Sequence, residues 1–272
     1  MATLGARGPG PAVRRSRVGE GRAVSVTGED VVRARAGEHG VVDRAGGQGP
    51  TGTPAPVTAE LARAALTAAL LGRFDGPLRP PATRTPIAHP NGFVKLPLAQ
   101  LPVDGRRLFL HVWRAGGEDA QIHDHRWHFA ATVLTGELYN TVVEVAPDEA
   151  PRLPVGAPAP DPDAYHVVRY RPQDGGFHLD TSDAYRVRVT GTRTHTVPAG
   201  GQYGMSAYTL HRAGAAPGTL TLVARGRPVR DDNRVLARGP VTGGFRPWRY
   251  VDADAGADER GRYLRAALEA LS

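Results

Sequence analysis

The chain has 272 residues, of which 40% are hydrophobic, so it can form one well-filled domain but is short for two. It contains no cysteine, which excludes disulfides and thiolate chemistry and restricts any metal site to His, Asp or Glu ligands. The net charge of +7 is carried almost entirely by scattered arginines without a basic stripe, and no signal peptide or membrane-spanning apolar run is visible. We therefore expect a cytoplasmic protein that binds neither nucleic acid nor membranes.

Two segments precede the main domain. Residues 1–55 are rich in Gly, Arg, Ala and Pro and show no helical or strand periodicity, which predicts a disordered extension that need not belong to the mature protein. Residues 56–90 are predicted to form a helix and a proline-rich connector, with Thr58 as the N-cap. The apolar stripe of this helix consists of Leu66, Leu70 and Phe74.

Residues 91–226 alternate short apolar runs with Gly- and Pro-containing turns, a pattern typical of an all-β sandwich or barrel. The predicted strands are 93–98, 107–113, a histidine-containing strand after Gly117, 131–134, 137–143, 166–170, 185–189, 194–197, 202–206, 208–212 and 219–223. A Pro- and Asp-rich loop occupies 147–163. Residues 227–272 are predicted to be mostly loop, followed by a last helix that begins at Asp258.

The segment between Gly117 and Phe129 contains three histidines within six residues. Side chains in an extended strand alternate between faces, so His123 and His125 point the same way and can contact one metal ion. His128 has the opposite parity and could replace one of them only if a bulge shifted the strand.

These residues resemble the first motif of the cupin superfamily, a glycine, two histidines, a glutamate and a second glycine at fixed spacing. The matching positions are Gly117, His123, His125, Phe129 and Gly136, with Phe129 in place of the glutamate. The second cupin motif is matched only at Gly200 and His211. The resemblance implies a double-stranded β-helix (jelly roll) of the metal-binding type, with peripheral N- and C-terminal helices.

The resemblance also implies a divalent metal held by His123, His125 and His211. Because Phe129 cannot act as a ligand, three neutral imidazoles would leave the full 2+ charge on the site, which favours anionic substrates. Similar three-histidine sites occur in thiol and diketone-cleaving dioxygenases of this superfamily, so iron(II) is favoured. Zinc, nickel, manganese and copper also suit such ligands.

Several other residues are candidates for the pocket. Trp127 and Phe129 share the parity of the two histidines and are predicted to form an apolar pocket floor, with His111 as a further pocket residue or a hydrogen-bonded core histidine. Tyr203 and Tyr208 flank His211 and are candidate proton donors. On the 185–189 strand, the arginines 186 and 188 are either solvated or a clamp for a substrate anion.

The sequence thus predicts a metal-dependent cupin enzyme, with an iron(II) dioxygenase acting on a small anionic molecule as the leading hypothesis. A metal-dependent isomerase, lyase or hydrolase, a non-catalytic ligand-binding cupin and a metal-free epimerase of the sugar-nucleotide type remain open. Jelly-roll proteins often pair through sheet edges, so a homodimer is expected by analogy.

Overall fold

The computed structural model describes residues 53–118, 121–148, 162–238, 242–251 and 253–272. The predicted extension, residues 1–55, lies almost wholly outside the described residues, as does most of the predicted loop at 147–163. Over the described ranges the chain forms two helices and fifteen strands. None of the helices in those ranges is long and apolar enough to cross a membrane.

The elements follow one another in a mostly β order. The first part of the chain contains α1 (Ala59–Leu71), β1 (Ile87–Ala88), β2 (Val94–Leu101), β3 (Arg106–Trp113), β4 (Gly117–Glu118), β5 (Ile122–His123), β6 (Phe129–Thr135), β7 (Glu137–Pro147) and β8 (Ala164–Gln173). The second part contains β9 (Gly176–Pro198), β10 (Gln202–Met205), β11 (His211–Ala215), β12 (Thr219–Arg225), β13 (Asn233–Ala237), β14 (Gly244–Pro247), β15 (Arg249–Tyr250) and α2 (Ala253–Glu269).

The strands form two antiparallel sheets. The first has the order β10-β6-β12-β3-β2-β1-β15, and the second has the order β14-β9-β7-β11-β5-β13-β8, with β4 paired to β11. The predicted all-β fold class, with a helix at each end of the β region, is confirmed. Strands β13 to β15 belong to these sheets, although the sequence pattern after residue 226 predicted mostly loop. They were missed because they are short and contain several arginines and a proline.

The central strands of the first sheet are largely apolar, because one of their faces packs in the hydrophobic core. In β3, Leu108 and Leu110 pack with helix residues Leu66 and Leu264 in one fully buried cluster. The alternate residues of the same strand, including Phe109, line a cavity. The helices therefore cover the back of the sheet whose front faces this cavity.

Both helices are present, and the first has capping residues at its two ends. The Thr58 hydroxyl accepts a hydrogen bond from the Leu61 amide at 3.2 Å, and α1 ends at Gly72, whose φ of 71° is left-handed. Helix α2 begins at Ala253, five residues before the predicted start at Asp258.

Turns and bulges set the strand register. Gly136 has a φ of 73° in the β6–β7 turn, where an added Cβ would lie 2.3 Å from the Thr219 hydroxyl. Pro97, predicted to lie at an edge or bend, marks the bulge between β2 and β3. The two predicted strands at 185–189 and 194–197 belong to one continuous strand, the 23-residue β9.

Candidate metal centre

Three histidines from two distant segments of the chain converge in one place. His123 ends β5 and pairs in register with His211 at the start of β11, while His125 lies two residues further on. The imidazole centroids are 4.8–5.0 Å apart. One ring nitrogen from each residue lies within 4.8 Å of the others, so the group could hold a divalent metal ion.

The predicted histidine strand is not continuous. Strand β5 has only two residues and belongs to the second sheet, whereas β6 begins at Phe129 in the first sheet. Residues 124–128 link the two sheets and have no strand pairing. The expectation of one extended strand was therefore wrong, although His123 and His125 still meet at the same point.

Hydrogen bonds orient two of the three rings. His123 Nδ1 lies 3.1 Å from the Gln121 carbonyl oxygen, and His211 Nδ1 lies 2.8 Å from Asn140 Oδ1. Because both partners are acceptors, each Nδ1 carries a proton and each Nε2 keeps its lone pair. In His211 the lone pair is therefore on Nε2, the nitrogen that faces His125.

The closest contact in the group joins His125 and His211, whose Nε2 atoms are 2.8 Å apart. Two lone pairs at this distance repel each other unless a proton or a cation lies between them. Two nitrogens bound at right angles to one ion, each at about 2.1 Å, would be separated by about 3 Å. The contact thus fits neighbouring ligands of one metal ion.

Burial keeps the three histidines neutral. It lowers the pKa of His125 and His211 well below 6.5, and each of these shifts is increased by repulsion from neighbouring histidines. Burial also lowers the pKa of His123. Neutral imidazole is the form that binds a metal ion, so the electrostatic environment favours coordination near neutral pH.

Asp124 anchors the link that carries the histidines, a role that the sequence pattern did not predict. Its side chain is fully buried, and it accepts hydrogen bonds from the Arg234 backbone amide and from Arg234 Nε, both at 2.6 Å. It also accepts from Arg230, whose Nε donates to the His125 carbonyl oxygen at 3.0 Å. The two arginines thereby tie the histidine segment to the chain around β13.

A cavity of about 1,020 Å³ adjoins the three histidines, and its wall includes residues of both sheets. It is lined by the predicted pocket residues His111, Trp127 and Phe129 and by the candidate proton donor Tyr203. Phe129 lies edge-on to both His125 and Tyr203, with ring centroids 5.0 and 5.9 Å away. Phe129 thus presents an apolar ring beside His125, at the position for which the sequence resemblance implied a glutamate.

Other predicted residues lie outside this cavity. Tyr208 is 55% exposed and its ring contacts Arg230, so the expectation that it faces the histidines does not fit its position. His128 turns away from the group and accepts a hydrogen bond from the Ala207 amide at 3.2 Å. Neither Arg186 nor Arg188 is a lining residue, and Arg186 forms an ion pair with Asp148 at 2.8 Å. These two arginines therefore do not form an anion clamp in the cavity beside the histidines.

Three polar residues near the site were missed in the sequence. Asn140 orients His211, and the Asn91 amide nitrogen lies 3.5 Å from His123 Nε2. His89 stacks on Phe93, which in turn stacks on His111. No motif marked these residues, because they reach the site only through the pairing of strands that are distant in sequence.

Comparisons with known proteins add little to this geometry. The chain matches no protein-family model and no curated protein. Among solved structures it is similar to an oxalate decarboxylase of Lactobacillus farciminis in a formate complex, with 12% identity and a TM-score of 0.33. The match covers 58% of this chain and 35% of that one, so the chain spans about a third of that protein's length.

Proposed function

We propose that this chain is a metal-dependent enzyme of the cupin type, in which His123, His125 and His211 hold a divalent metal ion. The observation that carries the proposal is the convergence of these three ring nitrogens beside a cavity. The all-β fold with two antiparallel sheets agrees with the cupin resemblance of the sequence.

The ligand set fits a catalytic rather than a purely structural ion. Only three protein ligands converge in the described part of the chain, which leaves coordination positions for substrate or water. When bound, the ion would supply Lewis-acid chemistry and, as iron(II), redox chemistry with dioxygen. We favour iron(II) and a dioxygenase reaction because of the cupin resemblance of the sequence. We favour an anionic substrate because no carboxylate joins the three histidines among the described residues to offset the positive charge.

The surrounding side chains support this chemistry in three ways. Asn140 fixes the ring orientation of His211 through the Nδ1 hydrogen bond. Trp127 and Phe129 present apolar rings beside His125 and limit water access. Tyr203 lies in the cavity wall, where its phenol oxygen can give a proton to the substrate or take one from it.

Metal content measured by mass spectrometry tests the ligand assignment. We expect about one ion per wild-type chain, and loss of most of it in His123→Ala and His211→Ala. The matched controls are His128→Ala, which removes a nearby histidine outside the group, and His195→Ala, which removes an exposed one. Equal metal content in all five proteins would contradict the assignment.

Oxygen consumption by the iron-loaded enzyme tests the dioxygenase reaction. A panel of thiol-containing acids and 1,3-diketones should include at least one compound that stimulates oxygen uptake by wild type but not by His211→Ala. A protein that holds only zinc and consumes no oxygen with any member of the panel would rule out the oxidative reaction. A hydrolase, lyase or isomerase would then be tested anaerobically.

A further inference from the structure

The inner face of the first sheet carries two cations that flank one aromatic ring. Lys95 on β2 places its Nζ 4.3 Å from the centroid of the Phe109 ring. Arg225 on β12 places its guanidinium carbon 5.0 Å from the same centroid and 4.1 Å from the Trp127 ring. All four residues line the cavity next to the histidines.

These two cations have no anionic partner. The cavity lining contains no aspartate or glutamate among the described residues. Among the described residues, neither Lys95 nor Arg225 has a side-chain hydrogen bond or an ion pair. Both instead contact the face of an aromatic ring. Charges that lose much of their contact with water are normally paired, so two half-buried cations without an anionic partner are unusual for a purely structural wall.

The electrostatic cost of the arrangement appears in the pKa values. Burial, together with repulsion from Arg225 and Arg107, lowers the pKa of Lys95 from 10.5 to about 7. Burial, together with repulsion from Arg107 and Arg126, lowers the pKa of Arg225 to about 9. An anion bound between the two side chains would relieve this repulsion and favour their charged forms.

We propose that Lys95 and Arg225 bind a carboxylate or phosphate group of the substrate while another part of the same molecule reaches the three histidines. This proposal rests on the proposed function and specifies its substrate class. The Trp127 ring lies 5.9 Å from the His125 ring and 4.1 Å from the Arg225 guanidinium carbon, so a single indole separates the two binding points.

The rest of the cavity wall indicates what kind of substrate would extend from the Lys95–Arg225 pair to the three histidines. The rings of Tyr170, Phe177 and Trp248 form a second aromatic group that also lines the cavity. Cavities of this volume and composition bind organic molecules of drug size. The substrate is therefore an amphipathic organic acid or phosphate ester with an apolar body, rather than a very small anion.

Binding of aromatic probes to the full-length chain tests the proposal. Benzoate, phenyl phosphate and neutral benzamide are titrated by calorimetry and by intrinsic fluorescence, since all three tryptophans line the cavity. The variants are Lys95→Met and Arg225→Met, and the matched control is Arg73→Met at an exposed position outside the lining.

We expect benzoate, phenyl phosphate or both to bind at least tenfold more tightly than benzamide, and the tightest anion identifies the headgroup. Lys95→Met and Arg225→Met should each weaken this binding at least tenfold, whereas Arg73→Met should not change it. Equal affinity in all variants, or no preference for the anions over benzamide, would overturn the proposal. Far-ultraviolet circular dichroism identifies unfolded variants, and Lys95→Gln replaces Lys95→Met if the latter does not fold.

Metal-free and metal-loaded protein are compared so that this proposal and the proposed function can fail separately. In metal-free protein, anion binding that is weakened by Lys95→Met and Arg225→Met supports the inference, because no metal ion can then hold the anion. If wild-type protein takes up no metal, but its anion binding is still weakened by Lys95→Met and Arg225→Met, the metal-dependent function alone is refuted. Normal metal content without anion selectivity would refute the anion-binding pair alone.

Discussion

At the scale of single residues, the two ring nitrogens of the candidate ligand His211 have different roles. In His211, Nε2 faces the common point, while Nδ1 donates to Asn140 Oδ1 at 2.8 Å. This bond fixes both the tautomer and the ring orientation, so Asn140 sets the geometry of a candidate ligand without belonging to the three-histidine group itself.

Removing the Asn140 acceptor should weaken metal binding. We expect Asn140→Leu to lower the affinity for a divalent metal about 10- to 100-fold, because His211 loses the partner that holds its ring. Competition with a chelating dye measures this affinity. Asn233→Leu is the matched control, since Asn233 lines the same cavity and has no bond to a histidine in the described structure. Similar affinities in the two variants would show that His211 does not depend on Asn140.

The sequence was informative about residues that a motif or strand parity could identify. His123, His125 and His211 come together as the cupin resemblance implies, and Trp127 and Phe129 line the cavity. Asn91, Asn140, Lys95 and Arg225 could not be placed in this way. Their positions depend on which strands pair across the sheets, and a single sequence does not specify that pairing.

At the scale of elements, the structure differs most from the sequence prediction in the link 124–128. Parity along a strand predicted that His123 and His125 share a face, and the structure reaches the same result with a short strand followed by a crossing between sheets. In place of strand pairing, the link has isolated backbone hydrogen bonds, such as those that the Asp124 and His125 amides donate to the Arg234 and Ala207 carbonyl oxygens, and side-chain anchors add to them. Asp124, Arg230 and Arg234 supply these anchors with a buried network that joins the link to β13 and the residues before it.

Neutralising Asp124 should release the link. Asp124→Asn removes the negative charge between two arginines, and breaking a buried ion pair typically costs about 3–5 kcal/mol. We expect a loss of about 3 kcal/mol in the free energy of unfolding, measured by urea denaturation, together with reduced metal content. Asp104→Asn is the control, because the Asp104–Arg106 pair is more exposed and should contribute less than about 1 kcal/mol. Equal losses in the two variants would contradict a special role for Asp124.

At the scale of the whole molecule, the sheets enclose an excess of basic groups. The cavity wall combines Lys95 and Arg225 with histidines such as His89 and His111, and contains no carboxylate among its described residues. Burial lowers the pKa of His89, His111 and Lys95. The folded protein therefore binds protons at these three side chains less readily than the unfolded chain does.

This excess should make the protein less stable in acid, and His111 allows a direct test. Burial, and then repulsion from Lys95 and Arg225, lowers its pKa well below 6.5 in the folded chain. Between that lowered value and 6.5 the unfolded chain binds the extra proton. The free energy of unfolding therefore falls as the pH drops through this window, by up to about 1.4 kcal/mol per pH unit for one histidine.

His111→Phe should remove this contribution while keeping the stacking on Phe93. Urea denaturation of metal-free protein at pH 7.5, 6.5 and 5.5 should show that the variant gains stability relative to wild type as the pH falls below about 6.5. Thr221→Val is the control, because Thr221 is the β12 partner of His111 and does not titrate in this range. Its difference from wild type should stay constant with pH. A constant difference for His111→Phe as well would mean that His111 already accepts its proton in the folded protein, and that the cavity tolerates more positive charge than its composition predicts.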